Sequence, residues 1–337
     1  MMHWFGILLA LAAEPKGEVH FLTTEDGAQV ALHHRPADGP PVLLVHGISS
    51  NYRCWDLEEG RSLASTLQRA GRDVWLLDLR GHGATKGAKS PYWSRRGWSV
   101  DDYGRYDLPA AIDFVLKKTE ASELDYVGHS MGGLVVTVAL AHRPELPLDR
   151  MVILATPMDF TDPDLVSTWG LALGRTLGFF SSVLPSPLAA RIHGRFRLPL
   201  PVDEMLFTDL SSPARERMYD EIVSPLFLGE LRQLWATSEH AYFMDEDHEQ
   251  RYIEELSSVR VPTRVIAGRG DRIAPVDRVY GFYSALHSAP KDFVVAGKAT
   301  GFSADYGHLD LPLGDHAEAE IYPLVLEWLT MDEEESK

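Results

Sequence analysis

A serine flanked by two glycines constrains the fold of this chain more than any other feature of the sequence. The motif Gly128-His129-Ser130-Met131-Gly132 directly follows the strand-like run Leu124–Val127 and directly precedes an apolar helical pattern. Such a tight strand–turn–helix junction lifts the serine hydroxyl to the C-terminal edge of a sheet, and a side chain at either glycine would clash there. The pattern therefore predicts an α/β sheet that presents Ser130 as a nucleophile.

Eight short runs, mostly rich in β-branched and aromatic residues, predict the strands of this sheet. They are Glu18–Thr23, Gln29–His34, Pro41–Val45, Asp73–Leu77, Leu124–Gly128, Arg150–Ala155, Thr263–Ala267 and Asp292–Ala296. From the third onward the runs are continuously apolar, which is typical of parallel strands covered on both faces. Helical patterns lie between them at Gly60–Ala70, Val100–Thr119, Gly132–His142, Asp277–Leu286 and Ala317–Met331. This alternation predicts an α/β fold with an eight-stranded, mostly parallel sheet and helices on both faces.

The alternation is interrupted once, between the sixth and seventh strands. Residues 157–258 contain no convincing strand but several helical fragments, namely Asp164–Phe179, Pro187–His193, Pro213–Ile222 and Phe227–Ser238. They predict a helical cap inserted into a catalytic domain that is made of residues 18–156 and 259–337. An apolar stripe that begins in the first fragment includes Trp169 and Phe180. This stripe either packs on the sheet domain or lines an acyl pocket, because ligand sites are mostly apolar.

Residues 1–17 form an N-terminal apolar segment with two open interpretations. Trp4–Ala13 has the length of the apolar part of a signal peptide, but no Lys or Arg precedes it. It is either a short helix packed on the domain, which favours a cytoplasmic location, or a weak signal for export. The run is too short to cross a bilayer, which requires about 20 residues. No later apolar run is long enough, so no transmembrane span is expected.

A serine hydroxyl becomes a strong nucleophile only beside a base, and the base requires an orienting acid. In chains with this serine turn, the acid and then the histidine follow the serine in sequence. Asp271 lies in the loop after the seventh strand, and His308 lies in the loop after the eighth. Parallel strands bring such loops together at one sheet edge, so Ser130, Asp271 and His308 form the candidate triad. Asp159, after the sixth strand, is the alternative acid.

Other acids and histidines lie near these positions and are expected to have structural roles. Asp305 and Asp310 flank the candidate base and are expected at the surface or in hydrogen bonds. His316 begins the last helix and is expected to be partly exposed. His129 adjoins the nucleophile inside the motif, and His82 shapes the loop after the fourth strand.

Attack on an ester carbonyl produces an oxyanion that requires two hydrogen-bond donors. One is expected to be the backbone N–H of Met131, the residue after the nucleophile, and the other the backbone N–H of Ile48, in the loop after the third strand. Because both donors belong to the backbone, their side chains matter little. No metal ion and no cofactor is required by this chemistry.

Charge and cysteine content exclude several classes of partner. The net charge is −17 and no long Lys/Arg run is present, so nucleic acid is not an expected partner. The single cysteine, Cys54, cannot form an intrachain disulfide or a thiolate metal cluster and is expected to be a buried apolar residue. The candidate triad implies a small-molecule or lipid-like ester as the partner, and the sequence does not indicate an oligomeric state.

Five blocks of the sequence carry a family resemblance. They read HGISSNYRCWDL, GRDVWLLDLRG, SVDDYGRYDLPAAIDFVLKKT, ELDYVGHSMGG and DYGHLDLPLGDHAEAEIYPLVLEWL. These blocks resemble the acid lipase family, which includes gastric and lysosomal lipases. The resemblance implies an α/β-hydrolase fold, the triad Ser130, Asp271 and His308, and oxyanion donors at Ile48 and Met131. The family usually has glutamine where this chain has Met131, and the cap matches no family that we can name.

The expected function is cleavage of carboxylic esters, with medium-chain acyl groups favoured, through an acyl-enzyme intermediate. Serine at position 130 excludes the aspartate nucleophile of epoxide and haloalkane hydrolases. Two alternatives stay open: an acyltransferase that uses the same triad, and a catalytically silent binding protein with this fold.

Overall fold

The protein is described by a computed structural model that covers residues 17–85, 97–160, 183–184, 186–196, 198, 202–287 and 290–331. Three sequence predictions fall on residues outside this part of the chain. They are the N-terminal apolar segment up to residue 16, the helical fragment Asp164–Phe179, and the pocket residues Trp169 and Phe180.

Eight strands form one sheet, as the sequence predicts. They are β1 (Glu18–Thr23), β2 (Gln29–Arg35), β3 (Pro41–Val45), β4 (Asp73–Asp78), β5 (Leu124–His129), β6 (Leu148–Leu154), β7 (Thr263–Gly268) and β8 (Lys291–Ala296), in the spatial order β1-β2-β4-β3-β5-β6-β7-β8. Only β2 runs antiparallel to its neighbours, β1 and β4. Every residue of β3, β4, β5 and β7 is buried, so both faces of the central sheet are covered.

The start of β6 differs from the prediction, which placed it at Arg150. Leu148 already pairs with Leu124 of β5, and the register between these strands then shifts before Tyr126. Asp149 is exposed at this irregularity. Its polar side chain interrupts the apolar pattern, which is why the sequence places the strand start two residues late.

The helices outside residues 157–258 are α1 (Leu63–Arg69), α2 (Val100–Asp102), α3 (Leu108–Thr119), α4 (Met131–His142), α10 (Val276–Ala285), α11 (Asp310–Leu313), α12 (Ala317–Glu320) and α13 (Tyr322–Thr330). Two helices that the sequence predicts as continuous are divided. A π turn, Tyr103–Asp107, separates α2 from α3, and α12 ends before Ile321. The π turn brings Gly104 so close to α4 that a Cβ there would lie 2.4 Å from Val138 Cβ.

Between β6 and β7 the described residues are mainly helical. The helices are α5 (Ser186–Phe196), α6 (Val202–Leu206), α7 (Ser212–Glu221), α8 (Leu228–His240) and α9 (Tyr252–Glu255). The expectation that this segment contains no strand is wrong, because Val183–Leu184 pairs with Leu226–Phe227. Two residues per strand are too few for an alternating pattern to be recognised. Within the described residues, no helix is long and apolar enough to cross a membrane.

Glu230 attaches α8 to the core through a fully buried carboxyl group. The Tyr103 hydroxyl donates to its Oε1, and the Phe227 N–H donates to its Oε2, each at 2.8 Å. Burial raises the pKa of Glu230 from its ordinary value of 4.5 to about 8. Glu230 is therefore protonated in the folded protein at neutral pH.

This burial predicts a pH-dependent stability. Since the folded state retains a proton that the unfolded chain releases above pH 4.5, stability is expected to fall as the pH rises from about 4.5 to about 8. Glu230→Gln keeps an acceptor for the Phe227 N–H and cannot ionise. In thermal denaturation, the melting temperature of Glu230→Gln minus that of the wild type should therefore increase as the pH is raised from about 5 to about 9. A difference that stays constant over this range would contradict the assignment.

Candidate active site

Ser130 lies at the junction of β5 and α4 in a strained backbone conformation. Its φ of 52° and ψ of −117° are uncommon for a residue other than glycine. Two hydrogen bonds hold it there, one with the last residue of β6 and one with Thr156, just after that strand. The Ser130 N–H donates to the Leu154 carbonyl at 2.8 Å, and Thr156 Oγ1 donates to the Ser130 carbonyl at 2.8 Å.

The flanking glycines allow this turn. A Cβ at Gly128 would lie 2.9 Å from the carbonyl carbon of Gly132, and a Cβ at Gly132 would lie 2.4 Å from the Val45 carbonyl oxygen. Both positions are too crowded for any other residue. The turn therefore requires the two glycines that the sequence analysis singled out.

The structure brings Ser130, His308 and Asp271 into one hydrogen-bonded chain. His308 Nε2 lies 3.0 Å from Ser130 Oγ, and His308 Nδ1 lies 2.7 Å from Asp271 Oδ2. The other oxygen, Asp271 Oδ1, accepts hydrogen bonds from the N–H groups of Ile273 and Ala274, at 2.8 Å each. A carboxylate that binds Nδ1–H leaves the Nε2 lone pair facing the hydroxyl, which is the arrangement of a base ready to accept a proton.

The alternative acid, Asp159, occupies a different environment. It forms an antiparallel bridge with Tyr242, and its backbone lies against Gly281 of α10. The carboxylate that contacts the His308 ring is that of Asp271.

Asp310 and Asp305 stabilise the loop that carries His308. The buried Asp310 Oδ2 accepts hydrogen bonds from the N–H groups of Gly307, at 2.7 Å, and Thr208, at 2.6 Å. Asp305 Oδ1 accepts a hydrogen bond from the Lys298 N–H at 2.9 Å. Both residues therefore have the hydrogen-bonding roles that the sequence predicts.

The other histidines near the site also have structural contacts. His316 is exposed and hydrogen-bonds Asp209 at 2.7 Å, and this bond raises the pKa of His316. His129 Nε2 hydrogen-bonds the His308 carbonyl oxygen at 3.0 Å, and burial holds the pKa of His129 well below its ordinary value. His82 Nδ1 lies 3.1 Å from the Arg80 carbonyl oxygen, and burial lowers the pKa of His82 to about 3. His129 and His82 are therefore neutral.

The two candidate oxyanion donors both lie near Ser130 in the fold. Met131 begins α4, so its N–H belongs to the first turn, which the helix leaves unpaired. Ile48 follows β3 and lines the same cavity as Ser130. A Cβ at Gly47 would lie 3.1 Å from Ser130 Cβ, so glycine at this position lets the Ile48 loop approach Ser130.

A cavity of about 370 Å³ opens at Ser130 and His308. The α5–α7 region contributes most of the remaining wall through Ala189, Ala190, His193, Val202, Leu206, Met218, Tyr219, Ile222 and Val223, and the core adds Ile273 and Leu309. Sequence reasoning missed these residues. Their apolar spacing is that of any helix packed on a core, so only the fold reveals that they surround the serine.

Among the described residues, one group of three side chains has the spacing of possible metal ligands: Glu18, His20 and His34, with one ligand atom of each within 4.8 Å of the others. None of the three lines the cavity at Ser130.

Comparison with known proteins finds lipases and esterases. A family model described as alpha/beta hydrolase fold matches residues 40–315. Human lipase member K is 35% identical over 145 residues, which cover 38% of this chain and 36% of that protein. Human gastric triacylglycerol lipase is 35% identical over 144 residues, with the same two coverages. The match thus spans well under half of each relative, and it confirms the resemblance to the acid lipases.

Solved structures support the fold over nearly the whole chain. An esterase from Exiguobacterium antarcticum superposes with a TM-score of 0.62 at 14% identity, covering 92% of this chain and 99% of the esterase. At this identity the likeness concerns the fold alone.

Proposed function

Because this chain belongs to the α/β hydrolase fold family, we propose that it is a serine hydrolase that cleaves carboxylic esters. The hydrogen-bonded chain from Ser130 through His308 to Asp271, at the mouth of an apolar cavity, is the observation that carries the proposal. A nucleophile, a base and an orienting acid in this order are the requirements of acyl transfer through serine.

The distances support the following order of proton transfers. His308 Nε2 accepts the Ser130 proton as Oγ attacks the ester carbonyl carbon, and the carbonyl oxygen becomes an oxyanion bound by the Ile48 and Met131 N–H groups. His308 then protonates the departing alcohol, which leaves the acyl group on Ser130. Water attacks this acyl-enzyme with His308 again as the base, and the carboxylic acid leaves with Ser130 restored. Asp271 stabilises the imidazolium in both steps.

We propose medium-chain acyl esters, of about four to ten carbons, as the substrate class. The walls above Ser130 are largely aliphatic, including Leu206, Met218 and Ile222. Each buried methylene contributes about 0.8 kcal/mol, so four additional carbons can raise kcat/KM by about 200-fold. Trp169 and Phe180 stay proposed as further pocket residues on the sequence pattern alone.

A panel of p-nitrophenyl esters from acetate to palmitate, with a thioester and an anilide beside them, tests this proposal. We expect kcat/KM to rise by about 10- to 200-fold between acetate and the best ester. Ala190→Phe should shift the optimum to shorter chains, because Ala190 lines the cavity. Ala319→Phe adds the same bulk at an exposed position and should leave the profile unchanged. A flat wild-type profile would contradict an acyl pocket, and the substrate would then be a small or polar ester.

Two sequence predictions also stand as proposals. The first is the division into a core of residues 18–156 and 259–337 and a cap of residues 157–258. Limited proteolysis tests this division, because the order in which sites are cleaved reports the boundaries. The second is a cytoplasmic location, which cell fractionation tests.

A further inference from the structure

The loop that carries the candidate donor Ile48 is held by the cap. We call residues 47–51 the oxyanion loop and residues 221–224, which begin at the last residue of α7, the α7 exit. Ser49, directly after Ile48, has a φ of 51°, a left-handed conformation that is strained for serine. The Ser49 carbonyl accepts from the Ser224 N–H at 2.9 Å, and Ser49 Oγ donates to the Ser224 carbonyl at 2.7 Å. These two bonds attach the strained residue to the α7 exit.

Asn51 supplies a second attachment between the same two segments. Its side-chain Nδ2 donates to the Ile222 carbonyl at 2.7 Å and to the Glu221 carbonyl at 3.0 Å. Carbonyls at the end of a helix have no partner within the helix, so Asn51 satisfies groups that α7 leaves open. Its Oδ1 meanwhile accepts from the Arg53 N–H at 2.9 Å and fixes the turn after the oxyanion loop. Asn51 is 6% exposed, so water competes little for these bonds.

The α7 exit also forms part of the wall of the cavity at Ser130. Ile222 and Val223 line this cavity, together with Met218 on the last turns of α7. One short segment thus contacts the acyl cavity with its side chains and the oxyanion loop with its backbone. A bound acyl chain that packs on Ile222 and Val223 would hold the segment whose backbone fixes Ser49.

We propose that Ser49 and Asn51 are positioning residues that complete the oxyanion hole only when the α7 exit is seated against the oxyanion loop. The inference rests on the proposed function, because it assigns the Ile48 N–H to the oxyanion. Occupation of the cavity then stabilises the donor geometry as well as the bound substrate. An acyl chain that only added binding energy would lower KM and leave kcat unchanged. Under this proposal, a longer acyl chain is expected to raise kcat as well.

Asn51→Asp is the sharpest test. It keeps the Oδ1 acceptor for the Arg53 N–H, but it replaces the amide donor with an oxygen that faces two carbonyls. We expect kcat for a medium-chain ester to fall by about 10- to 100-fold, since loss of one oxyanion donor costs about 10²- to 10³-fold. KM should change little, and the rise of kcat with chain length should disappear. A purely structural role for Asn51 would leave the dependence of kcat on chain length intact.

Arg53→Gln is the matched control. Arg53 Nε contacts Glu221 Oε2 at 3.1 Å, so this variant removes a side-chain link to the same segment and leaves Ser49 and Asn51 in place. Its kcat and its chain-length profile should stay close to the wild type. Ser49→Gly is the second test variant, because glycine adopts the positive φ without strain and lacks the Oγ donor. It should reproduce the loss of kcat even where Asn51→Asp fails to fold.

The outcomes separate the two proposals. A wild-type protein that hydrolyses no ester overturns the proposed function and this inference with it. In the second outcome the wild type is active, and Asn51→Asp or the folded Ser49→Gly shows the same kcat and chain-length profile as Arg53→Gln. This result overturns the inference alone. Loss of kcat and of its chain-length dependence in the test variants, with Arg53→Gln unchanged, supports both.

Discussion

His308→Ala is expected to lower kcat for ester hydrolysis by about 10³-fold or more, the usual scale for removal of a triad member. His308 Nε2 lies 3.0 Å from Ser130 Oγ, so His308 is the imidazole that is placed to accept the Ser130 proton. Without this base the serine keeps its proton and attacks the ester only slowly. Steady-state rates on a p-nitrophenyl ester, with thermal melting to establish folding, measure the effect.

His316→Ala provides the matched control for that experiment. His316 also follows β8 and hydrogen-bonds a carboxylate, that of Asp209, but it lies at the surface. Its removal should leave kcat close to the wild-type value. Equal losses in the two variants would show that the histidine has been assigned wrongly.

Asp271→Asn is expected to lower kcat by about 10⁴-fold. The Asp271 carboxylate lies 2.7 Å from His308 Nδ1 and is held in place by the Ile273 and Ala274 N–H groups. An amide keeps the shape, but it can present its NH₂ group to Nδ1 and so favour the tautomer with hydrogen on Nε2. That tautomer cannot accept the serine proton.

Asp159→Asn tests the rival acid in the same assay. Asp159 adjoins Tyr242 and Gly281, so its substitution should change kcat by only a small factor. The reverse result, with Asp159→Asn inactive and Asp271→Asn close to the wild type, would place the acid after β6.

Local signals in the sequence were sufficient to predict the sheet and the hydrogen-bonded series Ser130, His308 and Asp271. The two glycines of the Gly-His-Ser-Met-Gly motif indicate one tight strand–turn–helix geometry. Each central strand is a short apolar run between polar loops. Because parallel strands end at a common edge, loops far apart in sequence are predictably neighbours. Asp271 and His308 could therefore be chosen by their place after β7 and β8.

Features created by long-range packing were not predictable in the same way. Asn51 and Ile222 are hydrogen-bonded across 171 positions, and no spacing in the sequence pairs them. The cavity walls at Met218 and Ile222 depend on how α7 packs over the sheet, which its apolar periodicity does not specify. The π turn at Tyr103–Asp107 depends on the close contact of Gly104 with α4. Such choices are decided by tertiary contacts and not by local preference.

Labelling with a fluorophosphonate probe, followed by peptide mass spectrometry, tests the central claim most directly. The probe phosphonylates a serine only when a base activates it and nearby donors stabilise the oxyanion. The account predicts one adduct on the wild-type protein, at Ser130, and none on Ser130→Ala, which should also be inactive on esters. An adduct on another serine, together with ester hydrolysis that survives in Ser130→Ala, would contradict it.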